Sequence, residues 1–176
     1  MALEIRIAGP GDLEDAARLF EASIRAHAAA NQLEVRSGFD WVEETRLRME
    51  RNGSEFFLAY VDGNAVGIQA AHFATGRKKN LIERVMRRFE TVPTSPFPHT
   101  SAGMLTDVFV SREFRRSGVG RALVTAAQEW LESKGVDRTR MDVRLDNEAM
   151  LTVARLAGFS VTTQRLETKS RREARP

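Results

Sequence analysis

Between Gly103 and Leu131 the chain changes its hydrophobic period from that of a strand to that of a helix across eight intervening residues. "GMLTDVFV" is an apolar strand pulse, and Val119, Ala122, Leu123, Ala126, Ala127, Trp130 and Leu131 then fall on one helical stripe. An apolar strand feeding an amphipathic helix buries both faces only if the helix lies back on a sheet, which predicts a layered α/β chain. The flanking segments agree. Residues 4–8 predict a strand, and a helix follows with Asp12 as its N-cap and Asp15 three residues on. A second helix is expected over 40–51. "EFFLAYVDGNAVGIQAAHF" predicts two strands joined at Asp62-Gly63-Asn64, whose residue types tolerate positive φ. "RTRMDVRL", with Met141, Val143 and Leu145 alternating, predicts a strand over 138–145. A helix over 147–157 stopped by Gly158 and a last strand over 161–168 complete the order, with an inserted helix and loop at about 75–100, where Leu81, Ile82, Val85, Met86 and Phe89 share a stripe.

At 176 residues the chain predicts one domain spanning 1–176, large enough to fold around a single core without covalent staples. It contains no cysteine, which excludes disulfide frameworks, thiolate metal sites and cysteine nucleophiles. Its three histidines, His27, His72 and His99, lack metal-site spacing, so no metal is expected. No apolar run is long enough to span a membrane and the amino-terminal stretch does not resemble a signal peptide, so a cytoplasmic, membrane-free location is expected. The net charge is +3, with basic clusters at "GRKKNLIERVMRR" and in the tail at about 169–176. No aromatic stacking motif accompanies them, which argues against nucleic acid as a partner.

The segment "RRSGVGRA" places two glycines and three arginines at the mouth of the helix, a composition suited to phosphate. A Walker loop would need a lysine after Gly120, and none is there. The dinucleotide fingerprint would need a small residue at Leu123 and a turn beginning at the strand end, whereas seven residues separate Val110 from Gly118. Asp142, near where a ribose partner would lie, does not offset that misfit. The remaining pattern is R-x-x-G-x-G, from Arg115 to Gly120, in which backbone N–H groups converge on a pyrophosphate. Its structural alternative is a tight loop with a solvated arginine pair.

With "LTDVFVSREFRRSGVG" before it and "DNEAMLTVARLAGF" after it, this pattern resembles the GNAT superfamily of N-acetyltransferases from about Met104 to Phe159. The first hundred residues match only in order of elements. The resemblance implies a mixed, mostly antiparallel twisted sheet of six to seven strands flanked by helices, and acetyl-CoA as donor. It implies that backbone groups of Val108, Phe109 and Val110 pair with the pantetheine arm, and that Arg115, Arg116, Ser117, Gly118, Val119, Gly120 and Arg121 hold the pyrophosphate, with Asn147 completing the cofactor set. A backbone N–H near Phe109 or Val110 would face the thioester oxygen, and Asp107 would act as base for a primary amine, from a small molecule or a protein, attacking directly. Asp107 could equally orient a neighbour or pair with an arginine. Glu21 and Glu34 are weaker candidates for gripping a cationic acceptor.

One departure stands out. The family tyrosine that protonates the leaving thiolate falls at Ala154, and the only tyrosine, Tyr60, lies in the hairpin. Thr152, Ser160 or a water would have to substitute. This keeps a catalytically weak or non-catalytic acyl-CoA-binding module as an alternative. The inserted segment is read as self-packing, with a lid or a homodimer contact as alternatives.

Overall fold

A computed structural model describes residues 2–73 and 101–162. The expected insertion at 75–100, nearly all of the expected strand at 161–168 and the basic tail lie outside the described residues. Within them, one sheet of five strands runs in chain order: β1 (Leu3–Ile7), β2 (Ser54–Val61), β3 (Asn64–Phe73), β4 (Ala102–Val110) and β5 (Arg138–Met141). The first three pairings are antiparallel and β4 with β5 is parallel. Four helices flank the sheet: α1 (Leu13–Asn31), α2 (Trp41–Met49), α3 (Val119–Ser133) and α4 (Glu148–Leu156). The mixed α/β architecture is therefore as expected, with five of the predicted strands among the described residues.

Strand alternation divides the apolar residues between two layers. Phe57, Ala59 and Val61 pack with Val119, Leu123, Val124, Ala127 and Leu131 of α3. Phe56, Leu58 and Tyr60 face Ala16, Leu19 and Phe20 of α1, where Trp41 of α2 meets Phe20 edge-on with ring centroids 5.9 Å apart. The hairpin between β2 and β3 turns at Asp62 (φ 48°) and Gly63 (φ 82°), the left-handed pair that suits the twist of the flanking strands. At Gly103 a side chain would collide with the fully buried Leu131, since an added Cβ would lie 2.7 Å from its Cδ2. The glycine lets α3 sit directly on β4.

Two local expectations are corrected. The strand expected over 138–145 ends at Met141, because Leu145 is 64% exposed and Arg144 turns aside to grip Asp146 at 2.8 and 2.6 Å. The alternation there does not reflect a buried face. Asp12 precedes α1 but makes no side-chain cap. Its carboxylate instead accepts from Gly9 N–H (2.9 Å), Arg6 (2.6 Å) and the Tyr60 hydroxyl (2.9 Å), tying β1 and β2 to the entry of α1.

The Gly9 N–H, followed by the Tyr60 hydroxyl and the Arg6 guanidinium, holds the Asp12 carboxyl below the ordinary aspartate range. A depressed folded-state pKa stabilises the fold above the unfolded value, and that stability is lost as pH falls through the folded value. Asp12→Asn is expected to cost about 1–2 kcal/mol at neutral pH. In urea melts the difference from wild type should begin to shrink as pH falls below about 4, the unfolded aspartate value, and should vanish only once the folded carboxyl is itself protonated.

Candidate active site

The parallel pairing of β4 with β5 runs from Ala102 opposite Arg138 to Leu105 opposite Met141, and there it stops. β4 continues to Val110 with β3 as its only strand neighbour among the described residues. Ser111 N–H donates to Val66 O on the β3 side at 2.8 Å. Because backbone groups alternate along a strand, those of Val110 and Val108 point to the free edge, and those of Phe109 point to β3 opposite Ile68. Arg115 agrees with this alternation, its Nε donating to Val110 O at 2.9 Å. Among the described residues, the free edge of β4 offers a short row of backbone donors and acceptors with no strand to take them.

One extra residue sits in β4 at this point. Phe109 pairs with Ile68 and Thr106 with Ala70, so Asp107 and Val108 together oppose Gln69. Such a bulge shifts the alternation of the strand by one. Leu105, Val108 and Val110 all face the α3 layer, and Phe109 faces the α1 layer. Without the extra residue, Asp107 would share the α3 core face with Leu105. With it, Asp107 adopts φ 56° and its carboxylate lies on the α2 side, 3.7 Å from Arg48 Nη1 and accepting from the Thr106 hydroxyl at 2.9 Å. Arg48 is held in turn by Glu44 at 2.7 Å and lies over the Phe20 ring, 4.6 Å from its centroid. The carboxylate is 16% exposed, enough to be reached from outside. Arg48 was not evident as a site residue in sequence, since α2 is a short helix with little amphipathic pattern.

Beyond β4, a short 3-10 turn over Arg112–Phe114 leads into a loop with left-handed residues at Arg116 (φ 63°) and Gly118 (φ 89°). Ser117 secures the loop by donating its hydroxyl to Phe114 O at 2.6 Å. α3 then begins at Val119 with no side-chain cap and no acidic residue in its first turn. The N–H groups of Val119, Gly120 and Arg121 precede the first intrahelical bond, which Ala122 makes to Gly118 O at 3.0 Å. They carry the positive end of the helix dipole, with exposed Arg115, Arg116 and Arg121 around them. Gly118 needs its glycine for backbone conformation. Gly120 does not: an added Cβ would stand 3.7 Å from Val110 and 3.9 Å from Val153, in ordinary contact.

The structure thus brings Asp107, Val108, Val110 and residues 115–121 into one continuous stretch, from the bulge along the free edge to the helix mouth. Asn147 is the N-cap of α4, accepting from Met150 N–H at 3.1 Å. Ala154 is buried in α4, and its carbonyl accepts from Phe159 N–H at 3.0 Å. Tyr60 lies in the α1 layer, bonded to Asp12, so it does not join this stretch. The Thr152 hydroxyl is taken by Glu148 O at 2.9 Å. Glu21 is paired with Arg25 at 2.7 Å and Glu34 lies exposed past the end of α1. Among the described residues no cluster of His, Asp and Glu could hold a metal ion, and no helix is long and apolar enough to cross a membrane.

This arrangement has counterparts. Residues 17–159 match the model of the acetyltransferase (GNAT) family. The chain belongs to that family. It is accordingly an acyltransferase. It is 28% identical over 131 residues to an uncharacterized N-acetyltransferase of Archaeoglobus fulgidus, the match covering 73% of each chain. In fold it is similar to the aminoglycoside N-acetyltransferase AAC(6')-Iy, solved with the bisubstrate analogue CoA-S-monomethyl-acetylneamine, at a TM-score of 0.69 and 19% identity over 97% of this chain and 99% of that one. An aminoglycoside acetyltransferase from an uncultured soil metagenomic sample, solved with trehalose, superposes at a TM-score of 0.65 with 17% identity, over 95% of this chain and 94% of that one. A transcriptional regulator from Bacillus halodurans shares the fold at 0.68 with 16% identity, over 96% and 99%.

An aspartate in the left-handed region costs on the order of 1 kcal/mol that glycine would avoid. Asp107→Gly is therefore expected to be at least as stable as wild type in thermal melts, by up to about 1 kcal/mol, and Asp107→Val less stable than both. If valine melted with the wild type, the positive φ at this position would be refuted.

Proposed function

We propose that this protein transfers an acetyl group from acetyl-CoA to a small primary amine by direct attack in a ternary complex. The observation that carries the proposal is the continuous run from the free β4 edge to the uncapped, arginine-flanked mouth of α3. A strand edge pairs with an extended amide-bearing arm, and a helix mouth takes a pyrophosphate, so the two in series fit coenzyme A. The fit has a steric element as well. Gly120 is left without a side chain although the fold itself has room for one, as expected where a bound group approaches the backbone.

The thioester of acetyl-CoA supplies an activated acetyl group. Residues 116–121 bind the pyrophosphate through backbone N–H groups, with the arginine heads adding charge. Val110 and Val108 hold the arm along the free edge, and the N–H of Val108, beside the bulge, points where negative charge develops on the carbonyl oxygen. Phe109 contributes its position in the strand rather than its own N–H. The acceptor approaches on the α2 side, because the bulge presents Asp107 there. An alkyl amine has a pKa near 10 and arrives mostly protonated, so Asp107 holds the ammonium and takes its proton, directly or through water. The aminoglycoside acetyltransferases of the same fold support a small-molecule amine as the acceptor class.

The test is release of free thiol from acetyl-CoA in the presence of a panel of primary amines, with a mass gain of one acetyl group on the acceptor. Binding of CoA with no transfer to any amine would defeat the proposal. Arg116→Glu reverses a charge at the helix mouth and should weaken CoA binding by about tenfold or more, equivalent to about 1.4 kcal/mol, in calorimetry. Gly120→Ala should weaken CoA binding too, while the ligand-free protein melts no lower than wild type, since alanine is the better helix residue.

A further inference from the structure

Gln69 is the one long polar side chain on an otherwise apolar stretch of β3 from Ala65 to Ala71, and it is fully buried. Burying an amide costs free energy unless its groups are paired, so a leucine would be the cheaper residue there. The amide does meet partners. Its Nε2 donates to Thr106 O across the strand gap at 2.7 Å and to Ala70 O at 2.8 Å. Both partners accept only, which fixes the orientation of the amide, and Oε1 is left buried without a donor. Gln69 tolerates that cost directly opposite Asp107 and Val108, where the extra residue of β4 interrupts the regular pairing next to Thr106.

We propose that Gln69 is a positioning residue for acetyl transfer: its carboxamide occupies the gap of the β4 bulge and thereby fixes the aim of the Val108 N–H and the side to which Asp107 is presented. This rests on the acetyl-transfer function above. It touches neither donor nor acceptor and acts through the backbone of Thr106. If Thr106 O loses its partner, the bulge is free to slide, and a slide of one residue would turn Asp107 toward the α3 layer and Val108 N–H toward β3. The pyrophosphate loop lies beyond the far end of β4 and does not depend on Gln69.

The expected signature is a split between kinetic constants. Gln69→Leu, similar in volume and unable to donate, should keep KM for acetyl-CoA and the Kd of CoA close to wild type while kcat falls by about 100-fold, the loss typical of a misplacement on the order of 1 Å. Gln69→Glu supplies a readout that packing alone would not move. Between two carbonyl oxygens its carboxyl donates only when protonated, so its kcat relative to wild type should rise as pH is lowered. Folding is checked by circular dichroism in the same buffers, and where Gln69→Leu does not fold, the Gln69→Glu profile decides alone. Wild-type kcat in a folded Gln69→Leu, a raised KM with kcat unchanged, or a kcat ratio for Gln69→Glu that is flat with pH would each overturn the assignment. An inactive wild-type protein would instead overturn the acetyl-transfer function on which it stands.

Discussion

One extra residue in β4 governs the arrangement of the site. A regular strand would have carried Leu105, Asp107 and Phe109 on one face and buried a carboxylate against Leu123 and Val124 of α3. The bulge moves Val108 and Val110 onto that face instead and sends Asp107 to the other side of the sheet. A single backbone irregularity therefore keeps the α3 core apolar and places a charged side chain beside the free edge. The conformation it requires is uncommon for any residue but glycine. That a residue with a side chain occupies it is consistent with the side chain being the reason for the site.

The free edge itself has a second cause, the short β5. With β5 ended at Met141, the five residues of β4 from Thr106 to Val110 have, among the described residues, one neighbouring strand rather than two. An unpaired edge is ordinarily a hazard, because it invites pairing with another chain. Here Arg115 closes part of it by taking Val110 O, and the loop to α3 turns at once into the helix mouth. Donors at the edge and donors at the helix mouth are thus contiguous along the chain as well as in space. The same features that leave backbone groups unsatisfied make the stretch suitable for a long ligand carrying amides at one end and phosphates at the other.

The part of this that was legible in sequence is the part fixed by local chemistry. Asp62-Gly63 specified the hairpin turn, the stripe from Val119 to Leu131 specified α3, and the glycine pair with its arginines marked the helix mouth. What was not legible depends on register and on partners distant in sequence. The position of the bulge at Asp107 cannot be read from "LTDVFV", because it depends on how β4 aligns against Ile68 and Ala70. Arg48 becomes a site residue only because α2 packs over the same side of the sheet to which the bulge turns Asp107. Asp12 had the residue type and spacing of a helix cap, but Gly9, Arg6 and Tyr60 together make a better set of donors than the helix mouth. The strand expected over 138–145 failed for a related reason: alternation in "RTRMDVRL" predicts a face only if something covers it. Gln69 did leave a trace, as the one polar interruption in "AVGIQAA", although its role required knowing what lies opposite.

The leaving group is the remaining constraint on the chemistry. At the position of the family tyrosine, Ala154 is buried and its backbone is committed to α4 and Phe159, so that part of the helix presents no proton donor. Tyr60 is on the far side of the sheet, where burial, with the carboxylates of Asp12 and Asp15 adding to it, raises its pKa and the Arg6 guanidinium opposes the shift. It serves the joint between β1, β2 and α1. A thiolate needs less help than an alkoxide or an amide to depart, since a thiol has a reference pKa near 8.5, and general acid catalysis typically contributes about 10² to 10⁴-fold. The proposed chemistry therefore relies on the terms the structure supplies: an aimed backbone donor, a carboxylate on the acceptor side and a bulge that fixes both. That reliance makes the geometry of β4 more important here than in a relative with a tyrosine at the position of Ala154, because α4 supplies no such group to offset an error in aim.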